Sequence, residues 1–387
     1  MPSILITDGL WRKSVVAIRA LGKENINVTV TGENLATSGF FSKYCHKKII
    51  LPSAKSDPQE FASQLLDEIK YNHYDLIIPM EDDTIKAILP HRQEFEKYTK
   101  IPLPSSESIE IAFNKQKTLK LAQSIGIDIP QTVFSNSKYS LNKIKLPSVI
   151  KPTESSGSRG LSYIYTTKQL KEKINYLKKS KIDFVIQEKI PQKGEETGVN
   201  LLYNHQHQII ASFTYKRLRD YPITGGPSTL RQSTYDPQLI ALAKKLLDKL
   251  KWVGVAMVEF KNDPRDGKTK LMEINPRFWG SLSLPTAAGI NFPYLLYQME
   301  NNIKINAKQT YKIGIKTRWL IPGDILHFLS NPNRFNLKPS FFDFFDKNTY
   351  YDDFDSTDPF GNFGVIICNL IQAFNPKMWK YILRRIN

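Results

Sequence analysis

Residues 252–280 read WVGVAMVEFKNDPRDGKTKLMEINPRFWG. The run 253–260 is apolar and β-branched, 262–267 is a string of turn formers, and 270–274 resumes as an apolar strand. The stretch therefore predicts an antiparallel hairpin. Side chains alternate faces along a strand, which puts Glu259 with Met257 and Val255, and Glu273 with Asn275. A hairpin pivoting about Asp266 sets Glu259 opposite Glu273. Two carboxylates and an amide then converge, with Arg277 just past Pro276. Facing carboxylates repel unless a positive charge lies between them. Mg2+ suits that place, because it takes carboxylate and carbonyl oxygens and keeps part of its shell for phosphate. The plain alternative is a solvated hairpin with scattered acids. Against it stands the Glu-x-Asn-Pro-Arg run at the end of an otherwise apolar strand.

Upstream of the hairpin lies a small-residue loop, 153–160, whose one acid is Glu154. It joins two short strands, at 147–152 and 161–165. Ser155, Ser156, Gly157 and Gly160 give it the composition of a loop that closes backbone N–H groups over phosphate oxygens. Gly157 and Gly160 also permit positive φ. The loop lacks the G-x-x-x-x-G-K-[ST] spacing of a P-loop. Lys151 stands just before it on a strand, and Lys115 lies on the preceding helix; each taken alone reads more readily as a surface lysine. A strand at 183–188 ends in Gln187-Glu188-Lys189-Ile190, and Gly194-x-Glu196 follows. Together with the hairpin these form an ordered set.

Residues 1–105 alternate between strands, at 3–7, 28–30, 47–51 and 75–79, and helical stretches at 15–21, 57–70 and from 84. That alternation predicts a doubly wound parallel sheet, whose ligands bind beyond the carboxyl ends of strands. The turns Thr7-Asp8-Gly9 and Met80-Glu81-Asp82 stand at such ends. Glu81 and Asp82 are thus candidates either for substrate contact or for a helix cap. The Gly9 turn has no G-x-G-x-x-G pattern and gives no support for a nicotinamide cofactor. Prolines and serines at 102–106 mark a boundary. Further on, a hairpin is expected at 196–203 and 208–215, a loop at 216–233 and a helix at 237–250. The loop holds Gly225-Gly226 among Lys216, Arg217, Arg219 and Arg231. These cations are either receivers of a carboxylate or phosphorylated substrate or a solvated basic surface. Composition changes near residue 300, so the expected division is 1–105, 106–300 and an extension, 301–387.

The chain has 387 residues, enough for two or three domains. Its 41% hydrophobic and 24% charged residues match a soluble globular chain. No apolar run nears the roughly 20 residues of a membrane span, and with no basic n-region or long h-region before the strand at 3–7 no signal peptide is expected. Cys45 and Cys368 form neither a C-x-x-C pair nor a disulfide framework, so a cytoplasmic setting is expected. A net charge of +17 admits nucleic acid, anionic membranes or polyanionic substrates. The basic residues are scattered and no nucleic-acid-binding signature occurs, so no nucleic-acid partner is expected.

The ordered set from Asn114 to Arg277 resembles the ATP-grasp superfamily of carboxylate–amine ligases, and the likeness covers about residues 1–300. It implies an α/β fold in which an N-terminal doubly wound parallel-sheet domain precedes a two-lobed α+β ATP-grasp domain and a C-terminal extension. It implies ATP with Mg2+ or Mn2+, and small carboxylate and amine substrates of amino-acid or peptide type. Lys115 and Lys151 match the phosphate-binding lysines, although the acid usual before the first is Asn114 here. The segment 155–160 matches the flexible glycine loop, and Gln187, Glu188, Lys189 and Ile190 match the adenine-binding strand end. Glu196 matches the ribose-binding acid, with Glu188 as second candidate. Glu259, Glu273 and Asn275 match the metal ligands, and Arg277 the residue that steadies the transferred phosphate. A nucleotide-binding regulatory or scaffold protein without turnover is the alternative.

The resemblance is silent on the extension. Val365, Ile366, Leu370 and Ile371 supply apolar surface there, and 378–385 is basic and aromatic. This suits either a helix packed on the catalytic domain or an anionic membrane interface. Packing is the expectation, because the aromatic run 341–345 also needs cover.

Overall fold

The computed structural model describes residues 2–135, 144–154, 160–305 and 310–373. The chain opens with β1 (Ser3–Ile6), α1 (Arg12–Gly22), β2 (Asn27–Gly32), β3 (Cys45–Ile50), α2 (Pro58–Tyr71), β4 (Leu76–Ile78), α3 (Asp82–Ile88) and α4 (Arg92–Phe95). The four strands pair in parallel in the order β3-β2-β1-β4. Ile4, Leu5 and Ile6 are all fully buried, as strands covered on both faces require. Strand order reverses between β1 and β4, so the loops after these two strands open the crevice where such sheets bind ligands. Asp8 stands in one loop, Glu81 and Asp82 in the other.

Next come α5 (Ser106–Phe113), α6 (Lys115–Ser124), β5 (Thr132–Phe134), β6 (Ser148–Pro152), β7 (Ser162–Ile164), α7 (Thr167–Lys179) and β8 (Phe184–Glu188). These strands form an antiparallel sheet ordered β5-β8-β6-β7. A capping box of Thr166 and Gln169 starts α7. Its Leu170, Ile174 and Leu177 pack on Ile150, Ile164, Phe184 and Ile186.

The remainder is built on β9 (Glu196–Tyr203), β10 (Ile209–Asp220), β11 (Ser228–Thr234), α8 (Pro237–Lys249), β12 (Gly254–Asn262), β13 (Thr269–Asn275), α9 (Ser283–Ala288), α10 (Phe292–Glu300), β14 (Lys316–Arg318), α11 (Ile325–Ser330), β15 (Thr349–Tyr351) and α12 (Pro359–Ala373). Seven strands pair in the order β13-β12-β9-β10-β11-β14-β15. Leu239, Ala243, Leu246 and Leu247 of α8 cover one face. On the other, Phe278, Trp279, Phe292 and Leu295 join this sheet to Ile4, Ile6 and Val30 of the N-terminal sheet in one apolar cluster.

Two expectations fail here. Residues 216–233 are not one loop: β10 runs on to Asp220 and β11 begins at Ser228, leaving only the turn around Pro222 and Gly226. Turn formers at the centre of the stretch masked strands on either side, whose polar residues are buried by partners far along the chain. The extension does not simply pack a helix on the catalytic domain, as expected, either. It adds β14 and β15 to the large sheet, and α12 packs on the short helical turn Ser38–Phe41 of the N-terminal sheet rather than on the hairpin side. The run 378–385 lies outside the described residues.

Candidate active site

The hairpin forms as its turn chemistry dictates. The Asp263 carboxylate accepts from the Arg265 amide (3.1 Å) and from Lys270 Nζ (2.7 Å), which fixes the turn. Glu259 pairs with Glu273, and Met257 with Asn275. Both pairings obey the pivot at Asp266. Nearer the turn the register slips by one, with Phe260 opposite Leu271, and such a bulge beside a functional row re-aims its side chains. The next strand in the row, β9, presents Gly198 to Glu259. A Cβ there would lie 2.3 Å from the Tyr215 ring, so only glycine lets that ring pass beneath the carboxylates.

The two glutamates hydrogen-bond each other. Burial and then the facing charges push Glu259 up to about 7, against the pull of Arg217, which ion-pairs with it. Burial also works to raise Glu273, but Lys115 (3.7 Å), the Asn275 amide (3.2 Å) and Lys151 outweigh it and hold it below the usual range. Burial, reinforced by Lys115, draws Lys151 on β6 down to about 8, although Glu273 opposes this. Lys115 is held at the start of α6 by the Asn114 cap, whose side chain accepts from the Lys117 amide (3.1 Å). An Asn caps as well as an Asp, so the departure at 114 costs the helix nothing. Three oxygen-bearing side chains, two of them sharing a proton near neutrality, converge beside Arg217, Lys115 and Lys151. Their oxygens suit a hard divalent cation, and Glu259, Glu273 and Asn275 fit the metal that the resemblance implies. A cavity of about 200 Å³ opens here, lined by Asp82, Lys86, Lys115, Glu154, Glu273 and Asn275. A larger one, about 700 Å³, lies elsewhere between Arg92, Ser108, His205 and Lys251 and touches none of these groups.

Arg277 leaves the end of β13 toward the N-terminal sheet. Its Nε lies 2.6 Å from Asp82 Oδ1, and its Nη2 lies 3.4 Å from Asn275 Oδ1. Burial works against its charge, yet Asp82 and Glu81 outweigh burial and raise its pKa. The structure thus brings Arg277 together with Glu81 and Asp82. It adds Lys13, buried at the start of α1, 2.8 Å from Glu81 and donating to Phe278 O (3.1 Å). Sequence reasoning missed Lys13 and its neighbour Arg12. A signal existed: two cations occupy the first turn of a helix, where the dipole disfavours them, just past the carboxyl end of β1.

The remaining candidates divide. Glu196 on β9 pairs with Lys261 (2.7 Å) and Arg217 (3.2 Å). Glu188 accepts from the Gln131 amide (2.9 Å), Lys270 (3.0 Å) and Arg265 (2.8 Å), so it ties β8 to the hairpin turn. Gln187 is buried, with its amide on Thr132 Oγ1 (3.1 Å). The Lys189 ammonium donates to Tyr165 Oη (2.8 Å) and lies 5.0 Å from the Tyr163 ring, and Ile190 is buried. Gly160 has φ +73°, a conformation glycine takes without strain. Ser155, Ser156 and Gly157 lie outside the described residues. Of the four basic candidates, Arg217 reaches the carboxylates, and Lys216 pairs with Glu195 (3.2 Å). Arg219 and Arg231 do not form a basic loop. Both are buried on β10 and β11 and engaged by Asp324 and Asp352 of the extension.

Comparison with known proteins bears on the fold. Residues 181–320 match the family described as ATP-grasp in the biosynthetic pathway with Ter operon. The chain is 24% identical over 278 residues to a D-aspartate ligase of Enterococcus faecium, a match covering 65% of each chain and so just under two thirds of that relative's length. It is 25% identical over 231 residues to a D-alanine–D-alanine ligase of Aquifex aeolicus, covering 56% of this chain and 76% of that one. Among solved structures, biotin carboxylase of Campylobacter jejuni superposes with a TM-score of 0.66 at 14% identity, over 81% of this chain and 74% of that chain. The fold is that of the ATP-grasp proteins. Residues 181–320 thus match an ATP-grasp family model, and ligases are among the chain's relatives.

Proposed function

We propose that this protein is an ATP-dependent ligase that joins a carboxylate to an amine through an acyl phosphate and releases ADP and phosphate. The observation that carries the reading is the row Glu259–Glu273–Asn275 meeting Lys115, Lys151 and Arg277 between the two antiparallel sheets and the crevice of the parallel one. Phosphoryl transfer needs positioning and charge neutralisation more than covalent help. Lys115 and Lys151 would neutralise the transferred phosphate, and Arg277 would steady it. Glu259, Glu273 and Asn275 would hold Mg2+ or Mn2+, which when bound offsets phosphate charge. Gln187 to Ile190 would border adenine and Glu196 the ribose. The segment 155–160 would close over the phosphates and keep water from the acyl phosphate.

The substrate carboxylate attacks the terminal phosphorus of ATP, and ADP leaves. The amine then attacks the acyl carbon, the C–N bond forms and phosphate departs. Residues 106–300 would carry the nucleotide, and the β1–β4 crevice of residues 1–105 would present substrate to Arg277. Lys13, Glu81 and Asp82 are the groups there that match amino-acid carboxylate and ammonium ends. The ligase relatives, which act on amino acids by name, support that class. The test is a screen of amino acids and dipeptides for release of ADP and phosphate. Release of AMP and pyrophosphate would overturn the mechanism. ATP binding with no ADP across a broad panel would favour the scaffold alternative.

A further inference from the structure

The proposed chemistry uses none of the outer surface of α12, and that helix has two unlike faces. Gly361, Val365 and Cys368 face inward. Gly364 lies so close to the N-terminal sheet that an added Cβ would fall 2.4 Å from Phe41 Cβ. Arg19 holds the start of the helix through Asp358 (2.8 Å) and Asn362 (2.8 Å). On the opposite side, Phe360 is 72% exposed, Phe363 58%, Ile366 38%, Leu370 49% and Ile371 52%. With 3.6 residues per turn these five fall within an arc of roughly 140°. A helix that is apolar on both sides belongs where both sides are covered, and a contiguous apolar patch of this kind marks an interaction surface.

Charge identifies what covers it. From Pro359 to Asn387 the sequence contains no Asp or Glu and four cations, Lys377, Lys380, Arg384 and Arg385, with Trp379 and Tyr381 among them. Two copies meeting through this region would bring like charges together. An anionic lipid surface attracts them, by about 1 kcal/mol per Lys or Arg near the headgroups. Fifteen residues span about 22 Å, short of a hydrocarbon core of about 30 Å. Among the described residues no helix is long and apolar enough to cross a membrane. We propose that the outer face of α12 docks in the plane of an anionic lipid surface, with Phe360, Phe363, Ile366, Leu370 and Ile371 at the acyl boundary. This inference is independent of the ligase reading.

The experiment is cosedimentation of the full chain with phosphatidylcholine vesicles, with and without phosphatidylglycerol, at low and high salt. The expected result is pelleting with the phosphatidylglycerol vesicles, weakened by salt. Phe363→Ser combined with Leu370→Ser should lower vesicle affinity by about tenfold or more and leave thermal melting unchanged, because both side chains are exposed. Absence of pelleting, or binding indifferent to the double substitution, would overturn the proposal. So would lipid-free self-association that the same substitutions abolish, which would assign the face to a second copy of the chain.

Discussion

At the β14–β15 end of the large sheet, Asp324 accepts from Arg219 Nε and Nη2 (2.8 Å each), Arg318 Nε (2.6 Å) and Thr229 Oγ1 (3.0 Å). Asp352 engages Arg231, Arg12 and Ser283 in the same manner. At the β12–β13 end, Glu259 faces Glu273 and takes up a proton near neutrality. Both ends bury charge, but one pairs each acid with cations in matched geometry, and the other sets two acids face to face as well as beside Arg217, Lys115 and Lys151. Breaking a matched buried pair leaves an uncompensated charge and costs stability. The facing carboxylates share a proton and lie beside Arg217, Lys115 and Lys151, an arrangement of perturbed groups of the kind that clusters at functional sites. The contrast separates charges that hold the sheet together from charges that, on the proposed function, serve a ligand.

That contrast can be broken most sharply at the hairpin. Glu273→Gln keeps shape and loses charge, so ADP release should fall by roughly 10²–10³-fold or more, with the fold intact and melting only slightly lowered, because Lys115 and Lys151 lose a counter-charge. A collapsed melt would make Glu273 a structural acid. At the other end, Asp324→Asn should leave nucleotide binding intact yet cost about 3–5 kcal/mol in denaturant unfolding, because Arg219 and Arg318 lose their counter-charge. Unchanged stability would erase the distinction.

A finer test lies beside Asp352. Burial, and then Asp352 itself, push Asp353 up to about 6. A carboxyl raised in the folded state holds more protons there than in the unfolded chain, so stability is lost as pH rises from about 4 to 6. Asp353→Asn removes that loss: its stability should equal the wild type's at pH 4 and exceed it by about 1–3 kcal/mol at pH 7.5. Parallel pH profiles for the two would refute the assignment. The smallest effect is expected at Lys216, whose pair with Glu195 is partly exposed. Lys216→Ala should shift stability by no more than about 0.5 kcal/mol, and a rise in KM for a substrate would instead place Lys216 among the binding groups.

What the sequence displayed and what it hid follow the same division. The Glu259–Glu273 row was legible because turn formers and a period of two fix a short hairpin locally, and Asp266 marked its pivot. The parallel sheet was legible from alternating strands and helices, with Glu81 and Asp82 at strand ends. Arg219 and Arg231 were misread because their partners lie 105 and 121 residues away and no local pattern announces them. β14 and β15 are three residues each, too short to show a period. Glu188 was ambiguous because its partners, Lys270 and Arg265, belong to a turn that reads as solvent-exposed.

Those long separations also set a schedule for biosynthesis. Arg219 and Arg231 leave the ribosome well before the aspartates that neutralise them. At about 5–20 residues per second, the wait for Asp324 and Asp352 is roughly 5–25 s. Through that interval the middle strands of the large sheet carry buried-type arginines with no counter-charge, so β10 and β11 cannot settle into their final packing. The sheet closes only once Asp352 has emerged, and a nascent chain stalled before it is the form most exposed to proteases and chaperones.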